Sequence, residues 1–311
     1  MFRFIVRRLL QMVLTFVGAT LLVYALMFSN QGSPAQVIQS LVGERPVTPA
    51  QVQVLTERYH LNEGFWAQYG YYMKGLLQLD FGTSLTGRPI GDMIAQAWPV
   101  TIRLAVIGVL FAIIFGVTAG VVAGIRRAGV FDNATLILTL LLISIPVIVL
   151  APLAQYFFGI KLSWFPPTAG GDPDWWALLL PGLVLGSLSL ATYSRLTRTS
   201  VAENLRADYV RTARAKGLPR SRVIGVHVLR NSLIPVVTYI GIDIGGLMAG
   251  AIITEGVFNI PGVGFNLFRG IRTEDGPLVV GFVSLLVIVF LVANLIVDIM
   301  YAVLDPRIRY E

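Results

Sequence analysis

Two aspartates lie inside long apolar runs of this sequence, where a charged side chain is energetically unfavourable. Asp243 falls in the run 234–254, and Asp298 falls in the run 278–302, one helical turn after Asn294. A carboxylate in the middle of a membrane helix costs roughly 2.5–3.5 kcal/mol, so such a group usually faces a cavity or a partner. We therefore expect Asp243 to face a polar cavity or a partner. Asp298, near the end of its run, is expected to anchor or cap its helix.

Two carboxylates that share one proton can also hydrolyse peptide bonds. Intramembrane aspartyl proteases carry these residues as Tyr-Asp and Gly-x-Gly-Asp, whereas the pairs here are Ile242-Asp243 and Val297-Asp298. A protease therefore stays only as an alternative enzymatic interpretation.

Residue types exclude most other catalytic sites. The chain has no cysteine, and its two histidines, His60 and His227, are far apart and lie outside the apolar runs. Thiol catalysis, iron–sulfur clusters, a Ser–His dyad in the membrane and a dedicated metal site are not expected. The dipeptide Gly-Lys does not occur, so the chain has no phosphate-binding loop with which to hydrolyse ATP. We expect no catalytic residue, metal or cofactor in this chain.

The apolar runs themselves indicate the fold class. Of 311 residues, 55% are hydrophobic and 13% are charged, and the mean hydropathy is +0.74. A soluble domain carries about twice that charge. A helix of about 20 apolar residues crosses a bilayer. Six runs approach or exceed this length: 9–29, 102–125, 136–158 (with Pro146 and Pro152 inside it), 178–193, 234–254 and 278–302.

We predict an all-α membrane protein with six transmembrane helices. The first run could instead be a cleaved signal peptide. Its apolar core is longer than such a peptide needs, and no small-x-small cleavage site follows Phe28, so we expect it to be retained.

Basic residues indicate the orientation of the helices. With the N-terminus in the cytoplasm, 16 of the 24 lysines and arginines fall on cytoplasmic segments, nine of them between Arg195 and Arg230. Cytoplasmic loops of membrane proteins carry such an excess. An even number of helices then places both termini in the cytoplasm. The net charge of +7 therefore reflects membrane topology and does not indicate a nucleic-acid partner.

Two stretches outside the apolar runs are expected to have structure of their own. The external segment 31–98 shows helical spacing of apolar residues, with a helix start at Thr48-Pro49. These apolar residues are Val52, Leu55 and Tyr59, followed by Tyr69, Met73 and Leu76. The inner segment 195–233 is the most charged part of the chain. It predicts an amphipathic helix over 201–216, ended by Gly217-Leu218-Pro219, and a second helix over 220–231. A basic helix pair of this kind can also lie on anionic lipid headgroups.

Glycines recur at intervals of four residues in two of the runs. Gly116, Gly120 and Gly124 share one run; Gly241, Gly245, Gly246 and Gly250 share another, where Gly246 and Gly250 lie on the face of Asp243. Small residues at this spacing let membrane helices approach closely. The pattern is explained either by packing within the chain or by a face that packs on a second subunit.

The charged segment also resembles a known element. The run from Tyr209 to Leu218 (YVRTARAKGL), together with His227–Pro235 (HVLRNSLIP), is similar to the coupling loop of ABC importer permeases. The general family pattern is Glu-Ala-Ala, three residues, Gly, nine residues, then Ile-x-Leu-Pro. Here Arg211, Thr212 and Ala213 occupy the first three places, Gly217 is kept, and His227, Leu229 and Arg230 stand where Ile, Leu and Pro are usual. These departures correspond to the form found in permeases for dipeptides and oligopeptides.

Other segments resemble the same permeases in the same order along the chain. They are Arg7–Leu10, Thr48–Leu61, Asp80–Ser84, Thr254–Gly264 and Leu304–Tyr310. The resemblance therefore covers almost the whole sequence.

This resemblance implies an importer assembled from several subunits. Two homologous permeases would form the pathway in a bacterial cell membrane, two ATP-binding subunits would hold ATP and Mg²⁺, and an extracytoplasmic binding protein would deliver substrate. The chain would divide into an N-terminal helix (1–30), the external segment (31–98), a type I permease domain (99–304, with the coupling loop at 195–233) and a cytoplasmic tail (305–311).

The resemblance also assigns expected roles to residues. Contact with an ATPase is expected at Tyr209, Arg211, Thr212, Ala213, Lys216, Gly217, His227 and Arg230. The pathway or a subunit interface is expected at Asp243, Gly246, Gly250, Asn294 and Asp298, and binding-protein docking at the external segment and at Phe258, Pro261 and Gly262. For His227, a hydrogen-bonded structural role is expected rather than metal ligation.

The substrate class expected from the resemblance is di- and oligopeptides. Nickel chelates, glutathione or a sugar-like solute are alternatives within the same architecture. A self-contained secondary transporter or channel is an alternative of a different class, which predicts inverted repeats and more polar groups inside the membrane than the sequence shows.

Overall fold

The computed structural model describes residues 2–28, 48, 53, 56, 57, 60 and 62–304. The regular elements of this part of the chain are all helices, and its β structure is limited to one isolated bridge between Thr83 and Pro89. Its helices are α1 (Phe2–Phe28), α2 (Phe65–Leu77), α3 (Ile90–Ile125), α4 (Val130–Ser144), α5 (Val147–Lys161), α6 (Trp175–Asn204), α7 (Asp208–Ala215), α8 (Arg220–Ser232), α9 (Ile234–Phe258), α10 (Val263–Arg272) and α11 (Gly276–Leu304). The helix start at Pro49, the spacing of Val52, Leu55 and Tyr59, and the tail 305–311 lie outside the described residues.

Several of these helices are long and apolar enough to cross a membrane. Four qualify singly, within α1, α3, α6 and α11, and up to seven spans result if each sharply bent helix pair counts as one. The all-α, multi-pass membrane class is thereby confirmed. The predicted number of six lies within this range and stays a prediction, as does the orientation.

The third predicted span, 136–158, is not one continuous helix. The chain turns by 103° between α4 and α5, at Ile145 and Pro146. Proline lacks the N–H that would continue α4, and its ring forces the preceding residue out of the helical region, which fits the extended conformation of Ile145. Pro152 lies inside α5, which continues as a π-helical turn over Gln155–Lys161.

The helices group into two compact units. The first comprises Met1–Val100 and Pro261–Val292, and the second comprises Thr101–Ile260 and Ala293–Glu311. In the first unit, Tyr24, Tyr69 and Val280 form a buried cluster that joins α1, α2 and α11. Hydroxyl groups share hydrogen bonds within it, at 2.9 Å between Thr20 and Tyr69 and at 2.7 Å between Tyr72 and Ser284. The helical spacing of Tyr69, Met73 and Leu76 is thus confirmed by α2.

A buried carboxylate connects the loop before α3 to the start of α11. Asp275 accepts hydrogen bonds from the backbone N–H of Leu85 and of Leu278, each at 3.0 Å. The bond to Leu278 satisfies one of the donors that every helix leaves free at its N-terminus. The side chain is 3% exposed, and this burial raises the pKa of Asp275.

In the second unit, α6 is the most buried helix and packs on α3, α4 and α9. Three glycines of α3 allow the close approach: a Cβ on Gly120 would lie 2.4 Å from the carbonyl oxygen of Ser194, and a Cβ on Gly116 or Gly124 would lie 2.7 or 2.8 Å from the nearest atom of α6. For these glycines, packing within the chain is confirmed.

Helix α6 is longer than either prediction that touched it. It runs through Arg195 and Arg198 as far as Asn204, whereas the span was predicted to end at 193 and a separate helix to begin at 201. The break comes instead at 205–207, before α7. Charged residues limit the length of an apolar run, but a helix can continue past the membrane when its polar side chains find partners or water.

Candidate functional site

The predicted coupling loop folds as a helical hairpin in which α7 and α8 are joined at Gly217. This glycine has φ of +74°, in the left-handed region that favours glycine. Its N–H donates to the carbonyl of Arg214 at 2.9 Å, and the N–H of Leu218 donates to that of Ala213 at 3.3 Å. These two bonds form a Schellman motif, which closes the C-terminus of α7. The predicted helix stop is confirmed.

A small apolar core holds the hairpin against the end of α6. It consists of Val201, Val210, Ala213, Val223 and Val228, each no more than 4% exposed. Ala213 therefore faces into the protein, so its side chain does not offer the ATPase contact that was predicted for it. Its position explains why a small residue is needed there: a larger side chain would force this core apart.

The other predicted contact residues lie on the outer surface of the hairpin. Tyr209 is 39% exposed, and Arg211, Thr212, Lys216 and Arg230 are also exposed. Arg211 reaches Asp208 at 3.4 Å, but both side chains are largely in solvent, so this ion pair contributes little to stability. His227 is partly buried, and its backbone carbonyl accepts a hydrogen bond from Asn231 at 3.1 Å. Beside these residues lies an open cleft of about 410 Å³ lined by Arg214, Leu218, Arg220, Val223 and Ile224.

An ion pair that the sequence did not reveal ties α6 to α4 near this hairpin. The guanidinium of Arg198 donates two hydrogen bonds to the carboxylate of Asp132, one of them at 2.8 Å from Nη2 to Oδ2. Asp132 is 1% exposed, and its Oδ2 also accepts from the N–H of Ala128 at 2.9 Å. A paired geometry of this kind is the strongest carboxylate–guanidinium contact. The sequence signal that could have indicated this pair is the position of Asp132, an acid two residues after the start of the apolar helix α4.

Asp243 of α9, which was predicted to be functional, lies in a small polar site where α9 contacts α6. The hydroxyl of Tyr193 donates to Oδ2 of Asp243 at 2.9 Å, and Tyr193 is fully buried. Tyr239 packs edge-on against Tyr193, with ring centroids 6.0 Å apart. We call Tyr193, Tyr239, Asp243 and Gly246 the polar site.

The remaining residues predicted for the pathway are less defined. Asn294 is partly buried, and the side chain of Asp298 and the surroundings of Gly250 lie outside what the structure describes. Their assignment stays a prediction. Within the described part of the chain, no group of three or more His, Cys, Asp or Glu residues could hold a metal ion.

Another buried acid that the sequence analysis did not single out lies one turn before the end of α9. Glu255 is fully buried and accepts a hydrogen bond from the hydroxyl of Thr101 at 2.7 Å. Phe258 is also fully buried, so its side chain does not provide the exposed docking contact that was expected. Pro261 is partly buried and Gly262 is buried at the start of α10; docking there stays a prediction.

Comparison with known proteins agrees with these features. The family described as "Binding-protein-dependent transport system inner membrane component" matches residues 116–310, and its N-terminal counterpart matches residues 1–105. The chain is 36% identical to the dipeptide transport system permease protein DppB of Alkalihalophilus pseudofirmus over 337 residues. It is 35% identical to the glutathione transport system permease protein GsiC of Escherichia coli (strain K12) over 313 residues. Both alignments cover 100% of each chain.

Proposed function

The chain belongs to the family of binding-protein-dependent transport system inner membrane components, and on this premise we propose that it forms half of the pathway of an ATP-driven importer for di- and oligopeptides. The observation that carries the proposal is the helical hairpin of α7 and α8, with an apolar core on one side and an exposed basic surface on the other. Relatives named as dipeptide permeases support the substrate class. Glutathione, nickel chelates or another small solute form the alternative, and a glutathione permease is among the relatives.

The proposal includes the surroundings of the chain. Six spans with both termini in the cytoplasm are supported by the distribution of basic residues, in the inner membrane of a bacterium. The partners are a second homologous permease, two ATP-binding subunits and an extracytoplasmic binding protein. ATP and Mg²⁺ bind to the partner subunits, and this chain has no catalytic residue; the lack of a Gly-Lys phosphate-binding loop in the sequence supports this division.

Force enters through the hairpin in this proposal. The exposed face of α7, with Tyr209, Arg211 and Lys216, docks on an ATPase, and its positive charge complements an acidic groove. Because Val210 and Ala213 pack directly against Val201 of α6, a push on α7 moves the end of α6 with it. Packed helices of this kind move as rigid bodies during a change between inward- and outward-facing states.

The test uses the complete importer, co-expressed with its partner subunits and reconstituted into proteoliposomes. The variant Arg211→Gln/Lys216→Gln removes two charges from the docking face, and Arg126→Gln/Arg127→Gln removes two exposed charges elsewhere as a matched control. We expect the first to lower ATP-driven peptide uptake by about a hundredfold, because two charge-assisted contacts of about 1.5 kcal/mol each are lost, and the control to retain it.

Substrate class is read from the same vesicles with radiolabelled di- to octapeptides, glutathione and a nickel chelate. Uptake of peptides supports the proposal, and uptake of the other solutes without peptides supports the alternative. Normal uptake by Arg211→Gln/Lys216→Gln would contradict the role of the hairpin.

A further inference from the structure

The polar site contains a carboxylate with one oxygen in a hydrogen bond and the other without a partner among the described residues. Oδ2 of Asp243 accepts the hydrogen bond from Tyr193, and Asp243 is only partly buried. In the described part of the chain, no lysine, arginine or histidine lies within ion-pair distance of it. A negative charge at this depth in a helix needs a counter-charge or water.

The space beside the unused oxygen is open. Gly246 follows Asp243 by one turn and is exposed. Among the described residues, a Cβ built on Gly246 would meet a single atom within 4 Å, namely Oδ1 of Asp243 at 3.9 Å. This glycine differs from those of α3, where a Cβ would collide with α6. Packing against the described residues therefore does not require glycine at 246, and the space beside it is available to a group from outside the chain.

The tyrosine fixes where the carboxylate points. Tyr193 is fully buried, so its ring cannot swing away, and its hydroxyl donates to one oxygen of Asp243. A half-engaged carboxylate held in this way presents its free lone pairs in one direction. Such a group favours a cationic donor such as an ammonium, for which a charge-assisted hydrogen bond is about twice as strong as a neutral one.

We propose that Asp243, oriented by Tyr193, binds the ammonium group of the peptide as it passes through the membrane. The inference rests on the proposed function. Peptides differ in their side chains, but every linear peptide with a free N-terminus carries an α-ammonium with a pKa near 8. One carboxylate beside a bare glycine therefore recognises what all such substrates share, and it imposes no requirement on their side chains.

Local charge and access are tested first, in a chain that has no native cysteine. Gly246→Cys introduces a thiol beside Asp243, and Ile244→Cys on the same helix is the control, since it is exposed but on a different face. In the reconstituted complex, labelling of this chain by a cationic and an anionic methanethiosulfonate is compared, each normalised to its rate with a free thiol.

A unit charge at roughly 6 Å in water raises or lowers the local concentration of a charged reagent by about threefold. The normalised labelling rates of the cationic and anionic reagents should therefore differ by about tenfold at position 246. We expect this preference for the cation to fall to near unity in Gly246→Cys/Asp243→Asn. Addition of a dipeptide with its loaded binding protein and ATP should slow labelling at 246 and leave 244 unaffected. No labelling at 246, or labelling without charge preference, overturns the proposal.

Transport is tested with Asp243→Asn, Asp243→Glu and Tyr193→Phe in the complete importer. We expect Asp243→Asn to lower dipeptide uptake by about tenfold, the loss of one charge-assisted contact. Asp243→Glu should restore most of the uptake, and Tyr193→Phe should lower it less than Asp243→Asn does because the charge remains. ATP hydrolysis stimulated by the loaded binding protein should persist in Asp243→Asn, which separates loss of a substrate contact from loss of folding.

Two results with Asp243→Asn would overturn the role of this carboxylate. If the variant releases the second permease from the purified complex, Asp243 pairs with that subunit and the proposal is wrong. If the variant transports peptides normally, the proposal is also wrong. Failure of the proposed function is distinct from both, because the wild-type complex would then take up no peptide at all.

Discussion

The buried pair between Asp132 and Arg198 allows a sharp test of what holds α6 in place. Asp132 is 1% exposed and Arg198 is 20% exposed, so the two partners differ in their access to water. Removal of one partner of a buried pair leaves an uncompensated charge, at a cost of about 3–5 kcal/mol, whereas removal of both is often close to neutral. The design is a double-mutant cycle of Arg198→Gln, Asp132→Asn and their combination.

The structure sets the order of the three effects. Arg198→Gln leaves the more buried partner, the carboxylate of Asp132, without its counter-charge, so we expect the free energy of unfolding to fall by about 3 kcal/mol. Asp132→Asn keeps an acceptor for the N–H of Ala128 and leaves a guanidinium that can reach water, so about 1.5 kcal/mol is expected. The double variant has no charge left and should lose no more than Asp132→Asn alone. The coupling between the two residues is then about 3 kcal/mol.

Thermal unfolding of the purified chain in detergent measures these differences. One kcal/mol corresponds to about 2 °C for a chain of this size, so midpoints should fall by about 6 °C, 3 °C and 3 °C in the order given. Arg195→Gln, an exposed neighbour on α6, should change the midpoint by less than about 1 °C. If the double variant instead loses the sum of the two single effects, the two residues are not coupled and the pair does not hold α6 in place.

Three further predictions concern backbone packing, a turn and pH. Gly120→Ala should destabilise by more than about 2 kcal/mol in the same unfolding assay, because its Cβ would lie 2.4 Å from a backbone oxygen. Gly18→Ala, whose Cβ would have no atom of the described residues within 4 Å, should be neutral or slightly stabilising, and equal effects of the two substitutions would contradict the close packing. Gly217→Ala should cost about 1 kcal/mol, measured as a lower midpoint, because φ there is +74°, and a midpoint at or above that of wild type would show that the turn adapts. Burial raises the pKa of Asp275 above its value in the unfolded chain, so the folded state binds a proton more tightly, and the free energy of unfolding should fall as pH rises above about 4. Asp275→Asn should flatten the dependence of the free energy of unfolding on pH. An unchanged dependence would assign the effect to other groups.

Local signals along the chain were sufficient to predict the helices and the turn of the coupling loop. Apolar length alone predicts α1 and α11. The sequence Gly217-Leu218-Pro219 predicts where α7 ends, because glycine readily adopts the left-handed conformation that closes a helix and proline cannot continue one. The second helix of the coupling loop was therefore predicted nearly as it is, whereas the first was predicted to begin at 201 and begins at Asp208.

Features that depend on distant residues were not predictable. The pair between Asp132 and Arg198 joins positions 66 residues apart, and without it Arg198 is simply a charge that ends an apolar run. Pro146 lies inside a run that was predicted as one span, and the angle of 103° at this point depends on what the two helices pack against. Burial of Ala213 and Phe258 likewise follows from tertiary contacts, so residues that resemble a functional motif can be placed there for packing.

The uninterrupted course of α6 has a mechanical consequence for the two sites that it joins. Its 30 residues form a rod of about 45 Å, and Tyr193 lies within about 5 Å of the midpoint. For a tilt of about 5° around that midpoint, Val201 in the core of the coupling loop moves about 1.5 Å, and Tyr193 moves about 0.5 Å. Tyr193 thus lies near the centre of rotation, where the hydrogen bond to Asp243 is kept during a tilt that displaces the C-terminal end of α6. In the proposed import cycle, access to the carboxylate would then alternate between the two states while its geometry is kept.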